Sequence, residues 1–126
     1  MTPHLYIIRG VPGAGKTTLA KRMLAAGMVQ AVIEADDYRI DAEGSYVFDP
    51  SKNGECHAEC LAAVKTALAS GKSVAVSNTF VRKWEMAPYR QIGFACTIIC
   101  CEGSFDNCHG VPDHVVARMR QNWEAA

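Results

Sequence analysis

The segment Gly10-Val11-Pro12-Gly13-Ala14-Gly15-Lys16-Thr17 limits what this chain can fold into more than any other feature. It satisfies the pattern G-x-x-x-x-G-K-[ST] in full, and that pattern works only between a buried strand and the start of a helix. Its glycines let successive backbone N–H groups turn inward toward anionic oxygens. A helix beginning at Lys16 aims the positive end of its dipole at the same point. The motif therefore predicts a triphosphate cradle made by Gly10, Pro12, Gly13, Ala14, Gly15, Lys16 and Thr17, which Thr18 adjoins. Lys16 is expected on the β- and γ-phosphates. The Thr17 hydroxyl is a hard oxygen ligand suited to Mg²⁺.

The flanking sequence supplies the context the motif needs. Leu5-Tyr6-Ile7-Ile8 reads as a buried strand and Thr17–Ala26 as a helix, with Leu19, Ala20, Met23 and Leu24 on one face and Gly27 as its stop. Ala31–Ala35 reads as a second strand, and Glu43-Gly44 as a turn between Tyr38 and Phe48. Ser51–Ser70 is the longest helical pattern, with His57, Leu61, Val64 and Leu68 as its expected inner face. Ser73–Val76 and Ala95–Cys101 read as the third and fourth strands. Between them Trp84–Ile92 reads as a short helix that Pro88 should end or kink. Pro112 opens a last helix, with Val116, Met119 and Trp123 on one face. This alternation predicts an α/β fold: a single P-loop NTPase domain over residues 1–126. Its mostly parallel sheet has four to five strands, with helices on both faces and right-handed crossovers. Ligands of such sheets bind beyond the carboxyl ends of the strands.

Composition removes several classes. A chain of 126 residues is one domain's worth. Its formal charge of zero argues against tight unspecific nucleic-acid binding, while Arg82, Lys83, Arg90, Arg118 and Arg120 still allow a local basic patch. No apolar run approaches the roughly 20 residues of a membrane span, and the start does not read as a signal peptide. The expected location is the cytoplasm, with no membrane partner. The six cysteines include no C-x-x-C pair. Cys96 and Cys100 read as small hydrophobes in a strand, and reduced thiols suit the cytosol. A metal held by Cys56, His57 and Cys60, completed by Cys108-His109, is the minor alternative.

The acceptor side is less determined. Asp36 and Asp37 follow the second strand. One of them can orient an acceptor hydroxyl and take its proton, or can cap a turn. Arg39 can hold an acceptor phosphate by a paired contact. Ser77-Asn78-Thr79 follows the third strand, where a P-loop enzyme often has a metal-directing aspartate. These residues can bind the acceptor or a metal-bound water, or form a plain polar loop. Trp84 and Tyr89 can stack on a base or pack the short helix, and packing is the preferred reading for Trp84. His109 follows the fourth strand, where a lid would lie, and serves either function or a turn.

Taken together, Gly10–Thr18, Asp36-Asp37-Tyr38-Arg39 and Asn78-Thr79 resemble the phage polynucleotide kinase family of P-loop kinases. The resemblance implies that Asp36 is the general base and that Arg39 contacts the acceptor. Asn78, Thr79 and His109 are the further candidates for binding the acceptor. Tyr46-Val47-Phe48-Asp49-Pro50, Val76–Phe80, Trp84–Tyr89 and Asn107–Pro112 are similar to small phage kinases, some of them 5-hydroxymethyluracil DNA kinases. That similarity implies ATP-dependent transfer to a hydroxyl on a DNA substrate, with the modified base as preferred acceptor. A polynucleotide 5′-hydroxyl, a free nucleoside or other small molecule, and a regulatory module without turnover are the alternatives. Two departures stand out. Asp106 occupies the place of the family's lid arginine, so Arg82, Arg118 or Arg120 must replace it, a partner must supply the charge, or the enzyme is slow. Asn78 stands where the polynucleotide kinases carry aspartate.

Overall fold

The computed structural model describes residues 2–11, 14–34, 53–101 and 113–124. Four strands and four helices alternate along these residues: β1 (His4–Arg9), α1 (Lys16–Ala25), β2 (Ala31–Glu34), α2 (Asn53–Ala69), β3 (Val74–Asn78), α3 (Lys83–Arg90), β4 (Ala95–Cys100) and α4 (Asp113–Gln121). The sheet among the described residues has the order β2-β3-β1-β4, and every pairing is parallel. The α/β reading with a parallel sheet holds, at four strands.

The connections explain where the helices go. From β1 to β2 the chain steps one way across the sheet; from β2 to β3 and from β3 to β4 it steps the other way. Right-handed crossovers then require α1 on one face and both α2 and α3 on the opposite face. The packing shows this division. Ile8 and Ala75 meet Ala20 and Met23 of α1. Leu5, Ile7, Val74 and Val76 meet Cys60, Val64 and Leu68 of α2 and Met86 and Tyr89 of α3. Successive strand residues alternate between the two cores, as the period-2 geometry of a strand demands. Complete burial of a side chain such as Leu5 or Ile7 contributes about 1.5–3 kcal/mol each.

Several boundaries and faces differ from the sequence reading. β3 runs on to Asn78, so Ser77 and Asn78 belong to the strand and not to the loop after it. Both are buried, and each pairs in register with β1, which keeps the strand going past its apolar part. α2 turns Cys56, Cys60, Val64 and Leu68 inward, while His57 and Leu61 are only half-buried. Small thiols fit closer to the sheet than imidazole does. Trp84 is 73% exposed, so it does not pack α3 onto the sheet; Met86 and Tyr89 do that. Tyr89 meets Phe80 edge to face, with ring centroids 5.5 Å apart. α3 continues through Pro88 and ends two residues later at Arg90. Among the described residues β4 is an edge strand, and Cys100 on it is exposed. No helix among the described residues is long and apolar enough to cross a membrane.

Candidate active site

The chain leaves β1 through α1 toward one face and leaves the adjacent β3 through α3 toward the other. The carboxyl ends of these two strands therefore border the crevice where open α/β sheets bind ligands. The loop after β1 occupies it. The Gly10 N–H donates to the Thr79 carbonyl at 3.2 Å, which ties the loop's first glycine to the end of β3. On the other side Gly10 lies against Cys101: a Cβ built on it would sit 2.8 Å from the Cys101 carbonyl oxygen. Only glycine allows that approach. Gly15 precedes α1 with φ 92°, a left-handed conformation that glycine adopts without steric cost. The Ala14 N–H donates to the Val11 carbonyl at 3.1 Å, and the Leu19 N–H to the Gly15 carbonyl at 3.1 Å. No side chain caps the start of α1, which suits a helix end that receives an anion.

The Lys16 ammonium donates to the Gly10 carbonyl at 2.8 Å and to the Val11 carbonyl at 3.1 Å. Its charge therefore lies over the loop. That charge reaches Cys101, whose thiol pKa burial pushes up while Lys16 draws it back down. The Thr17 hydroxyl donates to Oε1 of Glu34 at 2.9 Å. Glu34 is the last residue of β2 and is buried. Hydroxyl and carboxylate are hard oxygen donors of the kind Mg²⁺ takes, so the residues present fit that ion. Glu34 is the site residue that sequence reasoning passed over. Its signal in the sequence is its place at the end of the β2 pattern, two residues before Asp36.

The opposite face of the same edge carries a different set. Arg9 ends β1 fully buried. Its Nε and Nη2 donate to the Phe80 carbonyl at 3.0 and 2.6 Å, and Nη2 also donates to Val81 at 3.1 Å. Its guanidinium carbon lies 3.9 Å from the centre of the Trp123 ring, a cation–π contact. The segment after α4 is fixed on the same spot: the Glu124 N–H donates to the Val81 carbonyl at 2.9 Å, and the Lys83 N–H donates to the Glu124 carboxylate at 2.9 Å. Trp123 thus serves Arg9, beyond the end of α4. Asn78 points toward α2, its Nδ2 lying 3.7 Å from the Cys60 sulfur. Thr79 meets Gly10 through its carbonyl.

The structure therefore brings Gly10, Ala14, Gly15, Lys16, Thr17 and Thr18 together at the start of α1, with Asn78 and Thr79 beside them on β3 and just after it. Pro12, Gly13, Asp36, Arg39, Asp106 and His109 lie outside the described residues, as does the Glu43-Gly44 turn. Of the arginines that can replace a lid arginine, Arg118 and Arg120 are exposed on α4 and Arg82 is half-buried at the start of α3. Among the described residues no group of three His, Cys, Asp or Glu side chains can hold a metal, and Cys56 and Cys60 are core thiols.

A glycine loop seated at the switch point of a parallel sheet, with Lys16 over it and Thr17 at the helix start, defines a P-loop domain. The chain belongs to the AAA_33 family, described as an AAA domain, whose model matches residues 5–121. It is 34% identical over 86 residues to human NEDD4-binding protein 2, a match that covers 68% of this chain and spans only 5% of that protein. Its fold is similar to a chain of the Pnkp1/Rnl/Hen1 RNA repair complex, with a TM-score of 0.65 and 18% identity over 99% of this chain and 40% of that one. A gluconokinase from Sinorhizobium meliloti shares the fold with a TM-score of 0.66 and 18% identity, over 98% of this chain and 77% of that one. So does the Mycobacterium tuberculosis APS kinase CysC, solved with AMPPNP and APS, with a TM-score of 0.62 and 17% identity over 93% of this chain and 68% of that one.

Proposed function

We propose that this chain is an ATP-dependent phosphotransferase of the cytoplasm that moves the γ-phosphate to a hydroxyl on DNA, the preferred acceptor being the hydroxymethyl group of 5-hydroxymethyluracil. The observation that carries the reading is the pairing of Lys16 and Thr17 at the start of α1, one held over the loop and the other held by Glu34. Loop amides and the dipole of α1 favour the phosphate oxygens. Lys16 exchanges neutral carbonyl acceptors for anionic ones, which are stronger partners for an ammonium. Thr17 is the residue that would hold Mg²⁺, which supplies charge neutralisation across the β- and γ-phosphates.

In the reaction the acceptor oxygen forms a bond to the γ-phosphorus as the bond to the bridging oxygen breaks, and ADP leaves. Asp36 takes the hydroxyl proton, the role its resemblance to the phage polynucleotide kinases implies. Arg39, Asn78, Thr79 and His109 are the proposed acceptor contacts. Catalysis of this kind is positioning plus electrostatic stabilisation. The target base leaves the helix stack to reach the site.

The choice of DNA rests on the Asp36–Arg39 segment, and the choice of base on the likeness of residues 46–50, 76–80, 84–89 and 107–112 to small phage kinases. A polynucleotide 5′-hydroxyl is the second reading, favoured by the shared fold with a chain of an RNA repair complex. Transfer of labelled γ-phosphate is measured on three substrates: end-blocked DNA containing the modified base, plain oligonucleotides with free 5′ ends, and free nucleosides. Label on the first supports the proposal. Label confined to the second or third overturns the acceptor and leaves the phosphotransferase.

A further inference from the structure

Glu34 holds Thr17 in the site described above but has no assigned step in the reaction, and among the described residues it is the acidic side chain bonded to the start of α1. We propose that Glu34 is the positioning residue for the divalent cation, taking from β2 the part that a carboxylate on β3 plays in other P-loop sites. The proposal rests on the kinase reading of the same site and adds a residue to it.

The argument begins with the Thr17 hydroxyl, which has one proton and two lone pairs. The Thr17 hydroxyl donates to Oε1 of Glu34 at 2.9 Å, so its one proton is committed to that contact. Both lone pairs then face away from Glu34 and are available to a cation. A neutral partner imposes no such direction, because a hydroxyl or amide can donate to Thr17 as well as accept from it.

Sheet register explains why β2 supplies the group. Ile8, Ser77 and Glu34 lie abreast on β1, β3 and β2. P-loop enzymes commonly set a metal-directing aspartate on a neighbouring strand, and here β3 offers Ser77 and Asn78 instead. Asn78 is turned to the other face, toward Cys60. Ser77 is neutral, short and only 3% exposed. β2 lies one strand farther out, about 4.8 Å beyond β3. Glutamate has one methylene more than aspartate, and the small Ser77 beside it leaves room for the side chain to reach back toward α1. Val32 packs in the α1 core, and Glu34, two residues on, shares its face. Length, face and register agree with the observed contact.

A merely structural hydrogen bond between β2 and α1 predicts something else. Losing it lowers stability and weakens nucleotide binding equally with and without metal. Partners that orient a metal ligand typically change metal affinity by about 10- to 100-fold when removed. Binding of a fluorescent ATP analogue is therefore titrated at rising Mg²⁺ and in EDTA for the wild-type chain, Glu34→Gln and Glu34→Ala, each checked for folding by thermal unfolding without metal. The expected result is that either folded variant needs about 10- to 100-fold more Mg²⁺ for half-maximal tightening, a shift larger than any change in its affinity in EDTA. A Mg²⁺ requirement equal to wild type in a folded variant overturns the role of Glu34. Absence of analogue binding to the wild-type chain at every Mg²⁺ concentration overturns the kinase reading instead, so the two failures are distinct.

Discussion

At the scale of single residues, the site depends on atoms that are missing as much as on those present. Gly10 sits where β1, the end of β3 and Cys101 converge, and its hydrogen bond to Thr79 holds it there. A methyl group at this position meets the Cys101 carbonyl at 2.8 Å and the Ala14 Cβ at 3.0 Å. All three nearest atoms belong to Cys101, just after β4, or to Ala14 of the loop itself, and neither can shift without moving the loop. Gly10→Ala is therefore expected to cost about 1–3 kcal/mol of stability, as overpacking does, with nucleotide affinity falling as well. Urea unfolding of both proteins checks the first part; an unchanged midpoint contradicts the packing account. The motif predicted glycine here, but not which neighbour demands it. That neighbour lies ninety-one residues away in the chain, and only the pairing of β1 with β4 brings it close.

At the scale of elements, α3 shows how one helix start serves two ends. The Glu85 carboxylate accepts from the Arg82 N–H at 3.2 Å, satisfying a backbone donor at the start of the helix. Burial raises its pKa above the ordinary glutamate value, while that hydrogen bond and the charges of Arg9 and Arg82 draw it partly back. The folded protein thus holds the Glu85 proton more tightly than the unfolded chain does. The favourable contribution is full at low pH and is lost as pH rises through the ordinary range to the raised value. Glu85→Gln keeps an acceptor oxygen for Arg82 without the buried charge. The variant is expected to unfold at a higher temperature than wild type at neutral pH, and at the same temperature below the ordinary glutamate range. A variant less stable at neutral pH contradicts the dominance of burial. The neighbouring Arg9 explains why this helix start is crowded with charge. It carries a fully buried cation on the carbonyls of the β3–α3 turn and under Trp123, so the end of β1, the turn and the chain after α4 meet at one point.

At the scale of the whole molecule, the alternation of apolar runs and helical patterns was enough to read an α/β sheet, because each strand is short, apolar and bounded by glycine or polar residues. The nucleotide side was legible for the same local reason: eight consecutive residues carry it. What stayed hidden depends on register and on side-chain direction. Glu34 reaches Thr17 across β3, a relation no local pattern encodes. Trp84 read as a packing residue because aromatics usually pack; the helix instead turns Met86 and Tyr89 inward and leaves Trp84 outside. Cys56 and Cys60 read as possible ligands and turn out to be buried, with Cys60 packed among the residues of the sheet. The sheet order places Lys16, Thr17 and Glu34 at one crevice, and the function proposed for the chain stands on that assembly. Calorimetric titration of ATP into the purified chain with magnesium present, run in parallel on Lys16→Ala, tests it most directly. The account predicts saturable binding at one site and loss of most of that affinity in the variant, whose fold is unchanged. Equal binding by the two proteins, or heat of dilution alone from the unmodified chain, contradicts it.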